Sequence, residues 1–388
     1  MDRITDRLFT GHGDQGPGRL DFPPLVDHHC HGVTRAELGL GSFEPLLSES
    51  ASAPASGTTF FDTQAGFAVR RWCPPVLGLE PHASPAAYLA RRRELGGYET
   101  ARRLLSAAGI GTFLVDTGLP GDLTGPGETA TAAGGTAREI VRLEHLAEQV
   151  ADTSGSAGSF VGNLAEAVHA ATRSAAGFKS VAAYRHGLAL DPEPPAPGAV
   201  LRAAGQWLAA RGTGDRLTDP VLLRHLLWSA VATGLPLQLH TGFGDPDLRL
   251  DHADPVLLTD FVRATEGHGC DLVLLHGYPY HRQAGYLAAV FPHVYADTGL
   301  ALTHTGARAE AVLGEMLELT PFGKLLFSTD AHALPELYVV GAQLFRSALE
   351  SLLCGWVEEG AWSLPDARRV TGMIAAGNAR RVYRLPDA

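Results

Sequence analysis

Cysteine is scarce in this chain, and its four cysteines lie far apart. Cys30, Cys73, Cys270 and Cys354 form no Cys-x-x-Cys pair, which argues against a zinc knuckle. Free thiols are therefore expected in place of disulfides. Cys30 is expected to pack in the core.

Long apolar runs and excess positive charge are also missing. We find no uninterrupted apolar span of about 18 residues, and residues 1–6 lack the basic and apolar regions of a signal peptide. Against 42 Asp and Glu there are 31 Lys and Arg, a net charge of −11. An acidic surface argues against nucleic acid or an anionic membrane as a partner. We expect a soluble, cytoplasmic protein that acts on a small molecule, and self-association into a homo-oligomer stays open.

No Gly-x-Gly-x-x-Gly motif follows an early strand, which removes the usual reason for a doubly wound open sheet. Instead, eight apolar segments separated by helical segments predict a closed TIM-like (β/α)8 barrel of parallel strands. The hydrophobic content of 45% supports the large core that such a barrel needs. The predicted strands lie at 24–32, 110–118, 139–144, 177–185, 235–240, 271–276, 294–297 and 325–330.

The whole chain, residues 1–388, is expected to form one domain. Residues 1–22 are Gly-rich and polar and carry no motif. Residues 37–105 are predicted to be a helical insertion after strand 1 that lies over the barrel mouth. Within and just beyond it, Ser84 and Pro85 are typical of the start of a helix, here predicted over 84–108.

The first strand ends in a histidine-rich stretch that could bind a metal, Asp27-His28-His29-Cys30-His31. In a strand, His29 and His31 project from one face with Asp27 below them, while Cys30 points away. Two imidazoles at the C-terminal end of a barrel strand have a metal-chelating spacing. The alternative is a chance cluster, since His28 shows that the stretch is simply rich in histidine.

Single polar residues end several later strands. Lys179, His240, His276 and Asp330 each follow an apolar run, and in a parallel barrel these strand ends meet at one mouth. A buried Asp330 must be paired or bind a cation. Both histidines could instead be core residues bonded to a backbone carbonyl. For Lys179, a snorkelling core-edge lysine competes with a carbamylated metal bridge and with a contact to a substrate carboxylate.

The order His-x-His, Lys, His, His, Asp resembles the amidohydrolase superfamily. The local motifs are closest to the second amidohydrolase family, in the branch fused to glutamine-synthetase-like domains in nodulin- and fluffy-type proteins. The similarity covers about residues 24–385, and the segment 377–383 is similar to the last helix of the family. The motifs that carry it are Phe178-Lys179-Ser180, Ala183-Tyr184-Arg185-x-Gly187-Leu188, His240-Thr241-Gly242-x-Gly244-Asp245, Leu275-His276-Gly277-Tyr278-Pro279-Tyr280 and Ser328-Thr329-Asp330-Ala331-His332.

A ligand set of His29, His31, His240 and Asp330, with a position left for water, describes a catalytic site for a divalent cation. In the mechanism expected here, Asp330 takes the proton from water and delivers it to the leaving group. His276 stabilises the oxyanion or orients the substrate carbonyl. The resemblance implies a single ion, with zinc expected, and leaves Mn²⁺ or a second metal as alternatives.

Four residues are candidates for binding a substrate carboxylate: Lys179, Tyr184, Arg185 and Tyr278. Arg185 offers the bidentate geometry that suits a carboxylate, although ordinary polarity at the rim is the alternative for it and for the two tyrosines. Lys179 is expected to be unmodified, with carbamylation as the alternative.

Three functions remain open. The first is hydrolysis of a C–N bond, an amide that carries a carboxylate and in the fused branch a γ-glutamyl group. The second is nonoxidative decarboxylation of an aromatic or unsaturated acid, which other members of the family perform. The third is a non-catalytic metal-binding scaffold, against which the presence of both His276 and Asp330 argues.

Overall fold

The computed structural model describes residues 20–212 and 214–386. The predicted polar lead-in at 1–22 lies almost entirely outside the described residues. Eight parallel strands form one sheet in the order of the sequence, so each strand pairs with the next. This is the TIM-like α/β barrel that the sequence predicts. The strands are β1 Leu25–Cys30, β2 Ile110–Asp116, β3 Thr136–Arg142, β4 Gly177–Ser180, β5 Leu237–Thr241, β6 Leu272–His276, β7 Val294–Asp297 and β8 Leu325–Leu326.

The barrel closes through backbone hydrogen bonds between β1 and the residues that follow β8. His28 N–H donates to Phe327 O at 3.3 Å, Asp330 N–H donates to His29 O at 3.0 Å, and His31 N–H donates to Ala331 O at 2.8 Å. These bonds do not follow a regular ladder, and Asp330 has a positive φ of 52°. The predicted strand 325–330 is therefore regular only at its first two residues.

Helices flank the barrel between and after the strands. The α-helices are α1 Leu40–Phe43, α2 Gln64–Val76, α3 Pro85–Leu95, α4 Gly97–Ala107, α5 Pro126–Ala133, α6 Leu143–Asp152, α7 Ala157–Ala171, α8 Ala182–Arg185, α9 Pro197–Ala210, α10 Pro220–Val231, α11 Thr259–Thr265, α12 His281–Val290, α13 Ala301–Thr305, α14 Ala309–Leu317, α15 Pro335–Glu358, α16 Leu364–Gly372 and α17 Asn378–Val382. Within the described residues, no helix is both long enough and apolar enough to cross a membrane.

Several boundaries differ from the predicted ones for local reasons. The strand predicted at 139–144 is shifted, because β3 begins at Thr136 and α6 begins at Leu143. The helical region between β3 and β4 is divided into α6 and α7, and Ser156 caps the second helix by accepting from Ser159 N–H. The strand predicted at 177–185 ends at Ser180 and is followed by the short helix α8.

The segment between β1 and β2 is helical. Ser84 caps α3 by accepting from Ala87 N–H, as predicted. The predicted helix 84–108 breaks at Gly96, whose φ of 79° glycine tolerates easily. Two contacts tie the segment to α15, where Tyr88 Oη donates to Glu336 Oε1 at 2.7 Å and Arg92 forms an ion pair with the same oxygen at 2.8 Å. The placement of this segment over the barrel mouth stays a prediction. The assignment of the whole chain to one domain stays a prediction as well.

A separate apolar cluster fills the inside of the barrel and includes Val26, Ile140 and Leu326. Five residues of the C-terminal segment belong to the same cluster: Ala376, Ala379, Val382, Tyr383 and Leu385. Asn378, in the same segment, donates to Leu325 O at 2.7 Å. A Cβ on Gly177, the first residue of β4, would lie 3.4 Å from the Tyr383 ring. The C-terminal segment therefore packs against the strand starts, opposite the end where the polar residues gather.

Candidate metal centre

Three side chains that can ligate a metal converge where β1 ends and the chain leaves β8. His29 Nε2 lies 3.1 Å and His31 Nε2 3.4 Å from Asp330 Oδ1. Among the described residues, this trio is the group of His, Cys, Asp or Glu close enough to share an ion. Both histidines are buried, and the Asp330 side chain is 13% exposed. Strand β1 and the loop after β8 are neighbours across the barrel closure, so the fold itself brings these residues together.

A bulge in β1 changes the simple alternation expected from the sequence. Asp27 pairs with Phe113 and Cys30 with Val115, so three steps along β1 match two steps along β2. At this irregularity the His28 and His29 rings both approach Gln238, with His28 Nδ1 3.5 Å from Gln238 Nε2 and His29 Nδ1 2.8 Å from Gln238 Oε1, although adjacent residues of a regular strand face opposite ways. Cys30 is fully buried in the outer core, as expected, and all four cysteines are free.

Hydrogen bonds to the other ring nitrogens orient both histidines. His29 Nδ1 lies 2.8 Å from Gln238 Oε1, and His31 Nδ1 lies 2.9 Å from Asp116 O. Both partners are acceptors, so each Nδ1 carries the proton and each neutral ring has a lone pair on Nε2. Those lone pairs face Asp330.

The electrostatics of the trio suit a cation. Burial alone would raise the pKa of Asp330, but the surrounding imidazoles of His276, His29 and His31 hold that pKa well below its usual range. Burial and the Lys179 ammonium lower the pKa of His29 to about 3. Two ligands bound to a tetrahedral zinc ion are about 3.3 Å apart, which the observed 3.1 and 3.4 Å match. The residues present thus fit a divalent metal.

His240 lies beside the trio but is not part of it. Its ring is 4.7 Å from the ring of His276 and 4.6 Å from that of Tyr184. His240 Nε2 is buried without a hydrogen-bond partner, and burial lowers the pKa of the ring well below its usual value. A Cβ on Gly244 would lie 3.2 Å from this nitrogen and would collide with the Tyr184 hydroxyl. A buried ring nitrogen without a hydrogen-bond partner is consistent with the predicted ligand role, which stays a prediction.

His276 approaches the other oxygen of the central carboxylate. Its Nε2 lies 3.5 Å from Asp330 Oδ2, and its ring centroid is 5.6 Å from that of His29. Burial lowers the pKa of His276, so the ring is neutral at neutral pH. Its backbone N–H donates to Asp297 Oδ1 at 2.6 Å, where His276 has a positive φ of 70°. Asp330 is therefore flanked by His29 and His31 on one oxygen and by His276 on the other.

Lys179 ends next to the same cluster. Its Nζ lies 3.3 Å from His29 Nε2, and the residue is 2% exposed. Burial lowers the pKa of Lys179 to about 8, while Asp330 and Asp116 partly offset that effect. The side chain points into the site, which removes the alternative of a lysine that snorkels outward.

The other three predicted carboxylate contacts are spread over the rim. Arg185 forms an ion pair with Glu148 of α6 at 3.4 Å, so its charge already has an acidic partner. The Tyr278 ring stacks on His281 at 5.4 Å. Tyr184 stays close to the cluster through His240. Of these three, Tyr184 is placed best for contact with a bound substrate.

Sequence reasoning assigned no role to several residues that support the site. Asp27 accepts hydrogen bonds from the backbone and hydroxyl of Thr329, at 3.0 and 2.5 Å, and so anchors the residue before Asp330. Asp116 pairs with Arg142 at 2.7 Å while its carbonyl holds His31. The alternating pattern of β1 was the available signal for Asp27. Nothing local to Asp116 marks its carbonyl as a partner of His31.

A carboxylate from the segment between β1 and β2 was also missed. Glu49 lies 3.5 Å from His304 Nε2, and its side chain is 17% exposed. Burial opposes ionisation, but His304 and His332 together lower the pKa of Glu49. Since no apolar pattern surrounds Glu49 in the sequence, only the packing of the segment reveals its environment.

The model of the amidohydrolase family matches residues 113–385, more than half of the chain. The chain belongs to this family. It is therefore an enzyme of the amidohydrolase superfamily, a membership that implies a divalent metal, and the His29, His31 and Asp330 cluster is the candidate site for it.

Two individual proteins are similar to this amidohydrolase. Protein fluG of Emericella nidulans is 35% identical over 224 residues, which cover 54% of this chain and 26% of the fungal protein. The chain thus spans about a quarter of the length of that relative. A candidate metal-dependent hydrolase from Lactobacillus casei ATCC 334 superposes with a TM-score of 0.83 at 27% identity, covering 95% of this chain and 98% of the other.

A third structure shares the fold at lower identity. Glucuronate isomerase from Caulobacter crescentus has a TM-score of 0.66 at 15% identity, with 99% and 97% of the two chains covered. This similarity supports the barrel architecture.

Proposed function

We propose that this protein is a metal-dependent hydrolase that cleaves the C–N bond of a small, carboxylate-bearing amide. The observation that carries the proposal is the trio of His29 Nε2, His31 Nε2 and Asp330 Oδ1, in which both imidazole nitrogens lie within 3.4 Å of the carboxylate oxygen. We propose that His240 is a further ligand and that a single divalent ion, zinc, occupies the site.

The metal, when bound, lowers the pKa of water toward about 7 and polarises the substrate carbonyl. Asp330 serves as the general base, since its two carboxylate oxygens lie between the His29 and His31 nitrogens on one side and His276 on the other. The same carboxyl group then delivers that proton to the leaving nitrogen. His276, held within 3.5 Å of Asp330 Oδ2, orients the substrate carbonyl and stabilises the negative charge that develops on its oxygen.

The substrate class follows from Lys179. An amine buried beside His29 gains most from an anionic partner, because a charge taken out of water needs a compensating one. We propose that unmodified Lys179 binds a substrate carboxylate, with Tyr184 beside it. Arg185 is a weaker candidate, since Glu148 already neutralises it. γ-Glutamyl amides, suggested by the resemblance to the synthetase-fused branch, are the first compounds to test.

The experiment combines metal analysis with a product assay. Purified protein is analysed for bound metal and then incubated with γ-glutamyl amides while released ammonia or amine is measured. The expected result is about one zinc equivalent per chain and amine release that a chelator abolishes. Release of carbon dioxide from an aromatic or unsaturated acid, without amine release from any amide, would replace hydrolysis by decarboxylation.

The stoichiometry tests the metal assignment separately. Two metal equivalents per chain, or a carbamate on Lys179, would contradict the single-ion proposal and would move His276 from catalysis to ligation. Stoichiometric metal without turnover of any compound would favour the non-catalytic scaffold.

A further inference from the structure

Four buried polar side chains form a hydrogen-bonded series beneath the candidate metal centre. They are Gln238 of β5, Tyr383 after α17, His28 of β1 and Asp297 at the end of β7, and we call them the polar relay. All four are at most 2% exposed. Polar groups buried this deeply are costly unless every donor meets an acceptor, so the direction of each bond can be read from its partners.

The amide of Gln238 has one allowed orientation. Its Nε2 lies 2.7 Å from the carbonyl oxygen of His28, which can only accept. The amide oxygen must then face His29, where it accepts from Nδ1–H at 2.8 Å. Gln238 thus dictates that the proton of His29 is on Nδ1 and that the lone pair is on Nε2, toward Asp330.

The rest of the relay continues in one direction. Gln238 Nε2 also donates to the Tyr383 hydroxyl at 2.9 Å, and that hydroxyl lies 3.1 Å from His28 Nδ1. His28 Nε2 lies 3.1 Å from Asp297 Oδ2. With the proton of His28 on Nε2, donated to the carboxylate, its Nδ1 accepts from Tyr383 O–H. Every proton in the relay therefore has an assigned place.

Asp297, the last residue of the relay, contacts a second residue of the site, His276. Asp297 Oδ2 also accepts from the Ser328 hydroxyl, while Oδ1 accepts from the backbone N–H of His276 at 2.6 Å. Burial opposes ionisation of Asp297, but the hydrogen bonds from His28 and the Ser328 hydroxyl, together with the nearby His276, lower its pKa to about 2. Because the ionised Asp297 carboxylate can only accept hydrogen bonds, it fixes the direction of every hydrogen bond in the relay.

We propose that the polar relay fixes the tautomer of His29 and thereby sets the affinity of the site for its divalent cation. Gln238 and Tyr383 are then positioning residues, and Tyr383 makes the C-terminal segment a determinant of metal binding. The inference rests on the proposed metal site. It adds that residues packed at the strand starts control a ligand at the opposite end of the barrel.

The test measures Zn²⁺ affinity by competition with a chromogenic chelator, together with the free energy of unfolding of the metal-free protein. Gln238→Met removes the amide with little change in volume and should weaken Zn²⁺ binding by about 10- to 100-fold, the usual effect of losing the partner of a ligating histidine. Tyr383→Phe should weaken it by a smaller factor, because Gln238 keeps its bond to His28 O.

A matched control separates positioning from general stability. Thr371→Val removes another buried hydroxyl of the C-terminal segment, one that donates to Ala367 O within its own helix. This variant should lose stability but bind Zn²⁺ like the wild type. Nitrogen NMR of labelled histidine gives a second readout, in which the Nδ1–H tautomer of His29 predominates in the metal-free wild type and loses its dominance in Gln238→Met.

The outcomes are distinct. Wild-type protein that binds no Zn²⁺ refutes the metal site itself. Equal Zn²⁺ affinity of the wild type and Gln238→Met, with the wild type binding well, refutes the relay while leaving the site intact. If Gln238→Met does not fold, Tyr383→Phe decides, and an affinity no lower than that of Thr371→Val refutes the inference.

Discussion

Asp27 offers the sharpest test of the electrostatics beneath the site. Its carboxylate is fully buried and bonded to Thr329 alone among the described side chains, with no cation beside it. Burial raises the pKa of Asp27 from 3.8 to about 8, although the Thr329 hydrogen bonds partly oppose the shift. Because the folded-state pKa lies above the unfolded one, the folded protein binds the extra proton between these values. Stability from Asp27 is therefore present below pH 4 and is lost as the pH rises toward 8.

We predict that Asp27→Asn stabilises the metal-free protein increasingly as the pH rises. The amide can accept from Thr329 N–H and donate to its hydroxyl, so both hydrogen bonds survive. With pKa values of 3.8 and about 8, linkage gives a gain of about 1 kcal/mol at pH 4.5 and about 4 kcal/mol at pH 7.

Chemical denaturation of both proteins across this range, in the presence of a chelator, measures the difference directly. Groups other than Asp27 cancel in the comparison, because they titrate in both proteins. A stability difference that does not change with pH would refute the reasoning, and so would a variant that becomes less stable than the wild type at pH 7.

Three further predictions concern activity and packing. Asp330→Asn should lower turnover by about 100- to 10,000-fold while leaving the circular dichroism spectrum unchanged, because the amide cannot act as a base; near-normal turnover would exclude the assigned role. Arg92→Met should lower the free energy of unfolding by about 3–5 kcal/mol, since it leaves the buried Glu336 carboxylate without its cationic partner. Arg93 is exposed, so Arg93→Met serves as the control and should change the free energy of unfolding little. Ser84→Ala should cost about 1 kcal/mol through loss of the α3 cap, measured by urea denaturation, and no change there would show that the cap is replaced by solvent.

The barrel was predictable because its signals are local. Most of the eight strands contain a short apolar run, and each strand end of the proposed site carries a polar residue that is costly to bury unless it is paired or binds a cation. His29, His31 and Asp330 can be connected from the order of the strands alone, since parallel strands collect their C-terminal ends at one mouth. The Ser84 cap was equally visible, because capping depends on residues three positions apart.

Other features depend on residues that are distant in the sequence. The bulge in β1 arises from pairing with β2, so no alternation pattern revealed that His28 joins His29 inside the barrel. Gln238 and Tyr383 are separated by 145 residues and meet only because the C-terminal segment packs against the strand starts. The sequence suggested that Arg185 binds a substrate carboxylate, yet in the folded protein Arg185 forms an ion pair with Glu148 of α6.

The sequence by itself determined the periodicity of the strands, the residue types at their ends and the family to which the chain is similar, because these are properties of short segments. Tertiary structure alone decided which nitrogen of each histidine faces Asp330, which charges are already paired and how deeply each is buried. The physical reason is that tautomer, ion pairing and pKa depend on the distances and dielectric around a group, and folding sets both.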